Sequence, residues 1–407
     1  MISIITPFHK KYMDYIVPLW HKLKKQGDFQ WVLVPNNGAE APEIKDKRVK
    51  VLYYPEEGEN IGKIKKFASY NADGDIIVEL DADDELTSNA LLEIEKAFTQ
   101  KGVKFAYSNS ARLVKGEPKS YSNYWGWRTR KFLYQDRKLL ETVGWTPSAH
   151  MMRLIYWAPN HVRAWDKKAY MDLGGHDDSL SVGDDHDLCC RFYIRYGKKG
   201  FKHINKCLYI YNEHGDNSYL IFNKEVQEQT WKNYIKYSRD MAVRWAKDEG
   251  LTLIDLGSRD EVWKDFKTFD KNGGNVKCDL EEGIPLKDDS VGVVRASHIV
   301  EHLKDPVKTM NEIYRVLAPG GWCFIDVPSA NGKGAFRDPT HKSFWNDQSF
   351  WYYTDKDYAR YIQPEYKGRF QVSRVIEWTP DNVPCVQADL IALKPPYDKR
   401  PPGEVKI

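Results

Sequence analysis

Short apolar runs alternate with amphipathic stretches from the first residues of the chain. Ile2-Ser3-Ile4-Ile5, Phe29 to Val34 and Val49 to Tyr53 read as strands, and a further strand begins at Ile76. Tyr12 to Lys25, Ile61 to Asn71 and Ser88 to Gln100 carry helical spacing. This alternation predicts an α/β fold with a mostly parallel, doubly wound sheet. In such sheets ligands sit outside the carboxyl ends of strands, which is where Thr6-Pro7, Asn36-Asn37-Gly38 and Asp81 to Asp83 are expected. Residues 221 to 249 hold no Pro or Gly and predict one long helix; Gly250 ends it before a new strand, Leu251 to Leu256. Alternation then resumes and closes with Gln387 to Leu393. The pattern divides the chain into a first domain over 1–220, a connecting helix over 221–250 and a second domain over 251–407.

Length fits that division, since 407 residues exceed what one core organises. With 42% hydrophobic and 29% charged residues, each part is able to bury a core. A net charge of +3 does not by itself demand nucleic acid. The six cysteines lack CxxC spacing and read as reduced core residues of a cytoplasmic protein. Met1 to Ile5 is too short for a signal segment, and no apolar run is long enough to span a bilayer. The tail from Lys394, with its prolines and charges, is expected to run extended.

Chemistry enters at Asp81, Asp83 and Asp84, which follow the apolar run Ile76 to Leu80. A strand end holds carboxylates rigidly, and hard oxygen ligands suit Mg2+ or Mn2+ set between protein carboxylates and a substrate diphosphate. The same residues also suit an acidic turn that caps the helix after Ser88. A calcium loop is excluded, because the sixth position from Asp81 is Leu86 and the twelfth is Leu92.

Four ordered segments then carry a family resemblance. They are Ser3-Ile4-Ile5-Thr6-Pro7-Phe8, the run Ala72 to Asp84, Leu173-Gly174-Gly175-His176-Asp177 with Gly183-Asp184-Asp185-His186-Asp187, and Tyr211-Asn212-Glu213-His214. Residues 1 to about 220 resemble family 2 glycosyltransferases of the GT-A fold. The resemblance implies a nucleoside-diphosphate sugar donor, a UDP-sugar favoured, contacted by Thr6, Pro7 and Asp81; Asn37, whose amide suits a uracil edge, and Lys63, which suits phosphate, are further candidate contacts from their own chemistry. It implies a Mn2+ or Mg2+ ion on Asp83 and His214, and a hydroxyl acceptor deprotonated by Asp185. The chemistry agrees: a divalent ion stabilises charge growing on the leaving diphosphate, and direct displacement needs a base on the opposite face, giving inversion. Asp184 beside Asp185 suits raising its pKa by like-charge repulsion, and two adjacent carboxylates on a loop suit plain solvation equally. Read alone, Gly183 to Asp187 also suits an N-cap cluster. Departures from the family pattern are Asn36-Asn37, where an acidic pair is usual, and Lys63, Lys65 and Lys66, which suit phosphate or a solvated face. Tyr121 to Phe132, followed by Arg137-Lys138, interleaves aromatic and basic residues; it suits an acceptor-side core, or a glycan or nucleic-acid acceptor.

Residues 251 to about 395 resemble a class I S-adenosylmethionine-dependent methyltransferase. Leu253-Ile254-Asp255-Leu256-Gly257, Asp279-Leu280, and His298 to Leu303 leading to Arg315-Val316-Leu317-Ala318-Pro319-Gly320-Gly321 carry this likeness. It implies S-adenosylmethionine contacts at Asp255, Gly257, Asp270 and Asp279. The loop after Gly257 is Ser258-Arg259-Asp260, without the further glycines that let a backbone approach the cofactor. Methyl transfer, alone or beside glycosyl transfer, stands against a domain that only positions the acceptor, and against a scaffold in which both halves bind without catalysis. His298-x-x-Glu301-His302 also fits an inverted zinc-protease motif with both histidines on one helix face, though no third ligand is evident. Phe344 to Tyr353, an aromatic stretch, is expected to close a pocket or fill core.

Overall fold

The computed structural model describes residues 1–56, 60–121, 127–154, 161–215, 217–260 and 263–395. Ser122 to Gly126 of the aromatic and basic stretch, and the tail from residue 396, lie outside the described residues. The chain forms two compact units, Met1–Met241 and the remainder from Ala242, dividing within the helix Asn223–Asp248. Both are α/β.

Strands of the first unit are β1 Ile2–His9, β2 Gln30–Asn36, β3 Val49–Val51, β4 Ile76–Glu79, β5 Glu85–Leu86, β6 Phe105–Val114, β7 Glu117–Lys119, β8 Thr129–Tyr134, β9 Arg137–Thr142, β10 Arg163–Asp166 and β11 Phe201–Glu213. The sheet runs β3-β2-β1-β4-β10-β6-β11-β5, with β7 to β9 branching from β6. β3-β2-β1-β4 are parallel, as are β6 and β11, but β10 enters antiparallel to both β4 and β6, so the sheet is more mixed than simple alternation predicts. β1 is buried on both faces, which explains its continuous apolar run. The helix Met13–Leu23 covers it with Ile16, Leu19, Trp20 and Leu23, and Trp20 stacks on Trp31 of β2. The helix Ile61–Asn71 starts where Asn60 accepts a hydrogen bond from the Lys63 amide.

The second unit holds β12 Thr252–Leu256, β13 Lys267–Asp270, β14 Val276–Lys277, β15 Val291–Ser297, β16 Leu317–Pro328, β17 Phe370–Trp378 and β18 Cys385–Ala392. Their order is β14-β13-β12-β15-β16-β18-β17; the first five are parallel, and β18 and β17 are antiparallel to their neighbours. The chain winds outward from β12 to β14 and returns at β15, which makes the β12/β15 junction a topological switch point, the place where such sheets bind ligands. From the aromatic stretch, Trp345, Phe350 and Tyr353 join the core of this unit, whereas Phe344 is exposed and stacks on Phe336. Of the six free cysteines, all but Cys278 are buried. Among the described residues no helix is long and apolar enough to cross a membrane.

On β17 and β18 an ion pair is sealed inside the second unit, Arg374 Nη2 to Asp389 Oδ2 at 2.7 Å. Asp389→Ala strands the guanidinium in the core and is expected to cost about 3–5 kcal/mol, while the double variant Arg374→Met with Asp389→Leu recovers most of it. Urea unfolding of the full chain, with amide exchange read on β17 and β18, checks both.

Candidate active site

Glu79, the last residue of β4, has its carboxylate almost wholly buried. Lys65 Nζ meets its Oε2 at 2.9 Å, Trp165 Nε1 donates to Oε1 at 2.6 Å, His176 Nε2 lies 3.2 Å from Oε1, and Arg163 Nη1 stands 3.8 Å from Oε2. Register explains the last contact, since Arg163 of β10 pairs directly with Glu79 of β4. Burial alone would raise this carboxyl, but Lys65, then His176 and Arg163, hold it well below the usual range. His176 passes the network on, with Nδ1 2.7 Å from Asp184 Oδ2. Burial works against its charge; Glu79 and Asp184 prevail and lift its pKa to about 9. Arg163 Nη2 reaches Asp185 Oδ2 at 2.7 Å. Three cations thus face three carboxylates, and every buried charge is matched.

Asp184 and Asp185 open the helix Asp184–Tyr196, and they part company there. The Asp184 side chain is 8% exposed and committed to His176, whereas Asp185 is 34% exposed, its Oδ1 accepting from the His186 amide at 2.7 Å and its Oδ2 facing Arg163. A rise of the Asp185 pKa by its neighbour is not what the structure gives. Burial pushes Asp185 up, but Arg163 and then Lys65 outweigh it and hold it below the ordinary carboxylate value. Gly62 makes room for this arrangement, for a Cβ there would stand 3.1 Å from Asp184 Oδ2.

Asp81, Asp83 and Asp84 leave β4 and take three different environments. Asp84 is buried, accepting from Tyr209 Oη and from the Asn212 amide, both at 2.7 Å, while Asn212 Nδ2 donates to the Asp83 carbonyl at 2.7 Å. Asp84 therefore sews the loop to β11, and burial, then Asp81 and Asp83, push its carboxyl well up. Asp83 is 9% exposed, and burial followed by the nearby Asp81 raises its pKa to about 6. His214, just past the end of β11, places Nε2 3.8 Å from Asp83 Oδ2. A carboxylate held in partial desolvation beside a second carboxylate and an imidazole fits a divalent cation. The backbone of His214 is fixed by its amide donating to Asn217 Oδ1 at 2.8 Å. Rings of His9, Tyr12, Tyr15 and His214 follow one another at centroid spacings of 5.0, 6.0 and 6.0 Å, carrying the start of the chain to this pair.

Other predicted residues fall elsewhere. Thr6 and Pro7 lie inside β1 opposite Leu33 and Val34, not in a loop, and the Thr6 hydroxyl accepts from Trp31 Nε1 at 2.9 Å, so its side chain serves the core. Asn37 is exposed in the turn after β2, at φ 48°. Lys63 stands 3.4 Å from Glu56 at the surface, and Lys66 3.1 Å from Asp178, whereas Lys65 is the buried partner of Glu79, neither a phosphate ligand nor a solvated residue. In the second unit Asp255 pairs with Arg295 at 2.6 Å, Asp279 with Lys271 at 2.5 Å, and Asp270 has Arg259 at 3.5 Å. The predicted S-adenosylmethionine acids are thus engaged by basic side chains of their own unit. Gly257 at φ +74° sits where a Cβ would fall 2.6 Å from Ile299, so close packing of strand end against loop fixes it as glycine.

Glu79, Lys65, Arg163 and His176 had no signal in the sequence as a set. Their spacing is long-range, and a lysine among Lys63, Lys65 and Lys66 gives no sign of which one turns inward.

Residues 3–156 match the model of glycosyl transferase family 2, and residues 241–325 match that of a methyltransferase domain. No curated protein matches the chain. Solved structures similar to it include S. aureus TarS in complex with UDP, at 14% identity and TM-score 0.38, covering 60% of this chain and 64% of that one. TarS in complex with UDP-GlcNAc gives 12% identity and TM-score 0.42, covering 60% and 70%. The chain thus spans less than two thirds of the first of these. The two matched segments lie one in each unit for nearly all their length, and the chain carries a family 2 glycosyltransferase domain followed by a methyltransferase-like domain.

Proposed function

We propose that the first unit transfers a sugar from a nucleoside-diphosphate sugar, a UDP-sugar, to a hydroxyl acceptor with inversion, using a divalent metal ion. The observation that carries this reading is the division of labour between two carboxylate pairs: Asp83 faces His214, while Asp185, a third exposed, is paired with Arg163. Asp81 links the two, since its charge acts on both Asp83 and Arg163.

Asp83 and His214 would hold the ion, with phosphate oxygens of the donor completing its shell; bound there, it supplies positive charge where the leaving diphosphate gains its own. The acceptor oxygen forms a bond to the anomeric carbon as the bond from that carbon to the diphosphate oxygen breaks, and the electron pair leaves with the diphosphate. The acceptor proton passes to the Asp185 carboxylate. Held low by Arg163, Asp185 is always ionised at neutral pH but is a weak base, suited to taking the proton late, when the oxygen already bears positive charge. Arg163 is the positioning residue for that carboxylate.

A glycan is favoured over nucleic acid as acceptor. Arg130 bonds Glu141 and Asn205, Arg137 bonds Glu85 at 2.9 Å, and Arg112 lies over Tyr121, so much of the positive charge around the aromatic and basic stretch is already matched within the unit.

Asp83→Ala and Asp185→Asn are each expected to lower metal-dependent release of nucleoside diphosphate by about 100-fold or more, with Asp185→Asn leaving donor binding intact. Wild-type turnover in both variants would overturn the reading. A proton competes with the ion for Asp83, so Mn2+ affinity should fall roughly tenfold per pH unit below about 6 and level off above it, as calorimetry across that range would show. Acceptor affinity should change little between low and moderate salt; a steep fall would point to a nucleic-acid acceptor instead.

A further inference from the structure

Glu301 of the second unit is 2% exposed, and among the described residues neither of its carboxylate oxygens has a hydrogen-bond partner. A bare carboxylate so placed is costly unless a cation meets it. His298 Nδ1 stands 3.5 Å from Oε1, a long ion-pair contact on one oxygen only. The protease-like alternative, with His298 and His302 on one helix face, does not form: Val300–His302 make a single 3-10 turn, and His298 precedes it at φ +52°. The second histidine at Glu301 comes instead from forty residues on. Ligand atoms of Glu301, His302 and His341 all lie within 4.8 Å of one another.

Hydrogen bonds hold the two segments together and set both rings. The amides of Lys342 and Ser343 donate to the Glu301 carbonyl at 2.7 and 3.0 Å. Thr340 Oγ1 donates to Asp338 Oδ1 at 2.7 Å and so has only lone pairs left for His302 Nδ1, 3.0 Å away. His302 Nδ1 must then carry the proton. His341 Nδ1 likewise donates, to the Ala335 carbonyl at 2.6 Å. Each ring is thereby fixed with a free lone pair on Nε2, the tautomer a metal takes, with the opposite nitrogen anchored as metal-binding histidines usually are. Asp338 Oδ2 adds a further oxygen 3.9 Å from His341 Nε2.

We propose that Glu301, His302 and His341 bind a divalent transition-metal ion, and that the ion keeps an open coordination position at the carboxyl end of β15. Two imidazoles and one carboxylate suit Zn2+, Co2+ or Mn2+ rather than Ca2+, at ligand distances of about 2.0–2.2 Å. Three protein ligands leave room for water or for an oxygen of a bound substrate. The position is the switch point of the sheet, where Ile299 packs on Gly257.

The test uses the full chain carrying Asp83→Ala, which removes the metal ligand proposed for the first unit, titrated with Co2+ alone by visible absorption and calorimetry. One Co2+ per chain with ligand-field bands is expected. In that background His302→Ala or His341→Ala should weaken Co2+ at least about 100-fold, and Thr340→Val about tenfold. Glu301→Gln should weaken Co2+ while raising the metal-free Tm, because it removes a poorly matched buried charge; a structural role for Glu301 would lower that Tm. No Co2+ uptake by the Asp83→Ala chain, or wild-type uptake after either histidine change, overturns the site.

Discussion

The first unit is organised around one ionised carboxylate with almost no access to water. Glu79 closes β4, and its charge is tolerable only because Lys65, Arg163 and His176 arrive from a helix, a neighbouring strand and a loop. Two of those partners are tied in turn: Arg163 to Asp185, His176 to Asp184. The burial of one acid therefore dictates where β10 must lie, how the helix Ile61–Asn71 faces the sheet, and how the helix Asp184–Tyr196 begins. Two residues beyond Glu79 the chain emerges as Asp81-Ala82-Asp83, so the same anchor sets the loop that faces His214.

Adjacent acids take opposite roles because the electrostatic environment changes over a few ångströms. Asp83 and Asp84 are neighbours, yet Asp84 is absorbed by Tyr209 and Asn212 while Asp83 is left toward His214. Asp184 and Asp185 repeat the division, one buried against an imidazolium and the other, a third exposed, paired with a guanidinium. At Asp83, burial and then repulsion from Asp81 outweigh the nearby His214 and Lys11 and raise the pKa. Where a buried cation lies closer, it wins, which is why Asp185 moves down.

The periodicity of the chain was a sound guide to its elements, because burial on both faces of β1 and β2 demands uninterrupted apolar runs. The helix over Ile61 to Asn71 is observed with those same ends, since Asn60 marks its start chemically. Long-range chemistry was less legible. Thr6 looked like a loop residue because Pro7 follows it, yet β1 runs through both to His9 and the hydroxyl is spent on Trp31. The antiparallel entry of β10 left no mark on the pattern, and with it went the pairing of Arg163 to Glu79. The family resemblance singled out Asp83, His214 and Asp185, but which of two neighbouring acids is the more buried depends on side chains far away in sequence.

The second unit shows the converse problem, a motif legible in sequence whose geometry was misassigned. His298, Glu301 and His302 have protease-like spacing, but a helix is required to bring the two histidines together, and β15 instead ends in a left-handed residue and one 3-10 turn. That turn aims Glu301 inward and swings His302 toward the segment of Asp338 to Ser343, where Thr340 and Ala335 orient both rings. Meanwhile Asp255, Asp270 and Asp279 are drawn toward Arg295, Arg259 and Lys271. Arg259 stands in the very loop that lacks the further glycines, so the same residue that bulks the loop also supplies the cation beside Asp270. Charge at this crevice is therefore arranged in two ways: acids on the β12 and β13 side are matched within the protein, whereas Glu301 on the β15 side has only the half-exposed imidazole of His298 at 3.5 Å. With a single long ion pair, Glu301 is less fully compensated than Glu79, and the proposed ion would supply the remaining positive charge.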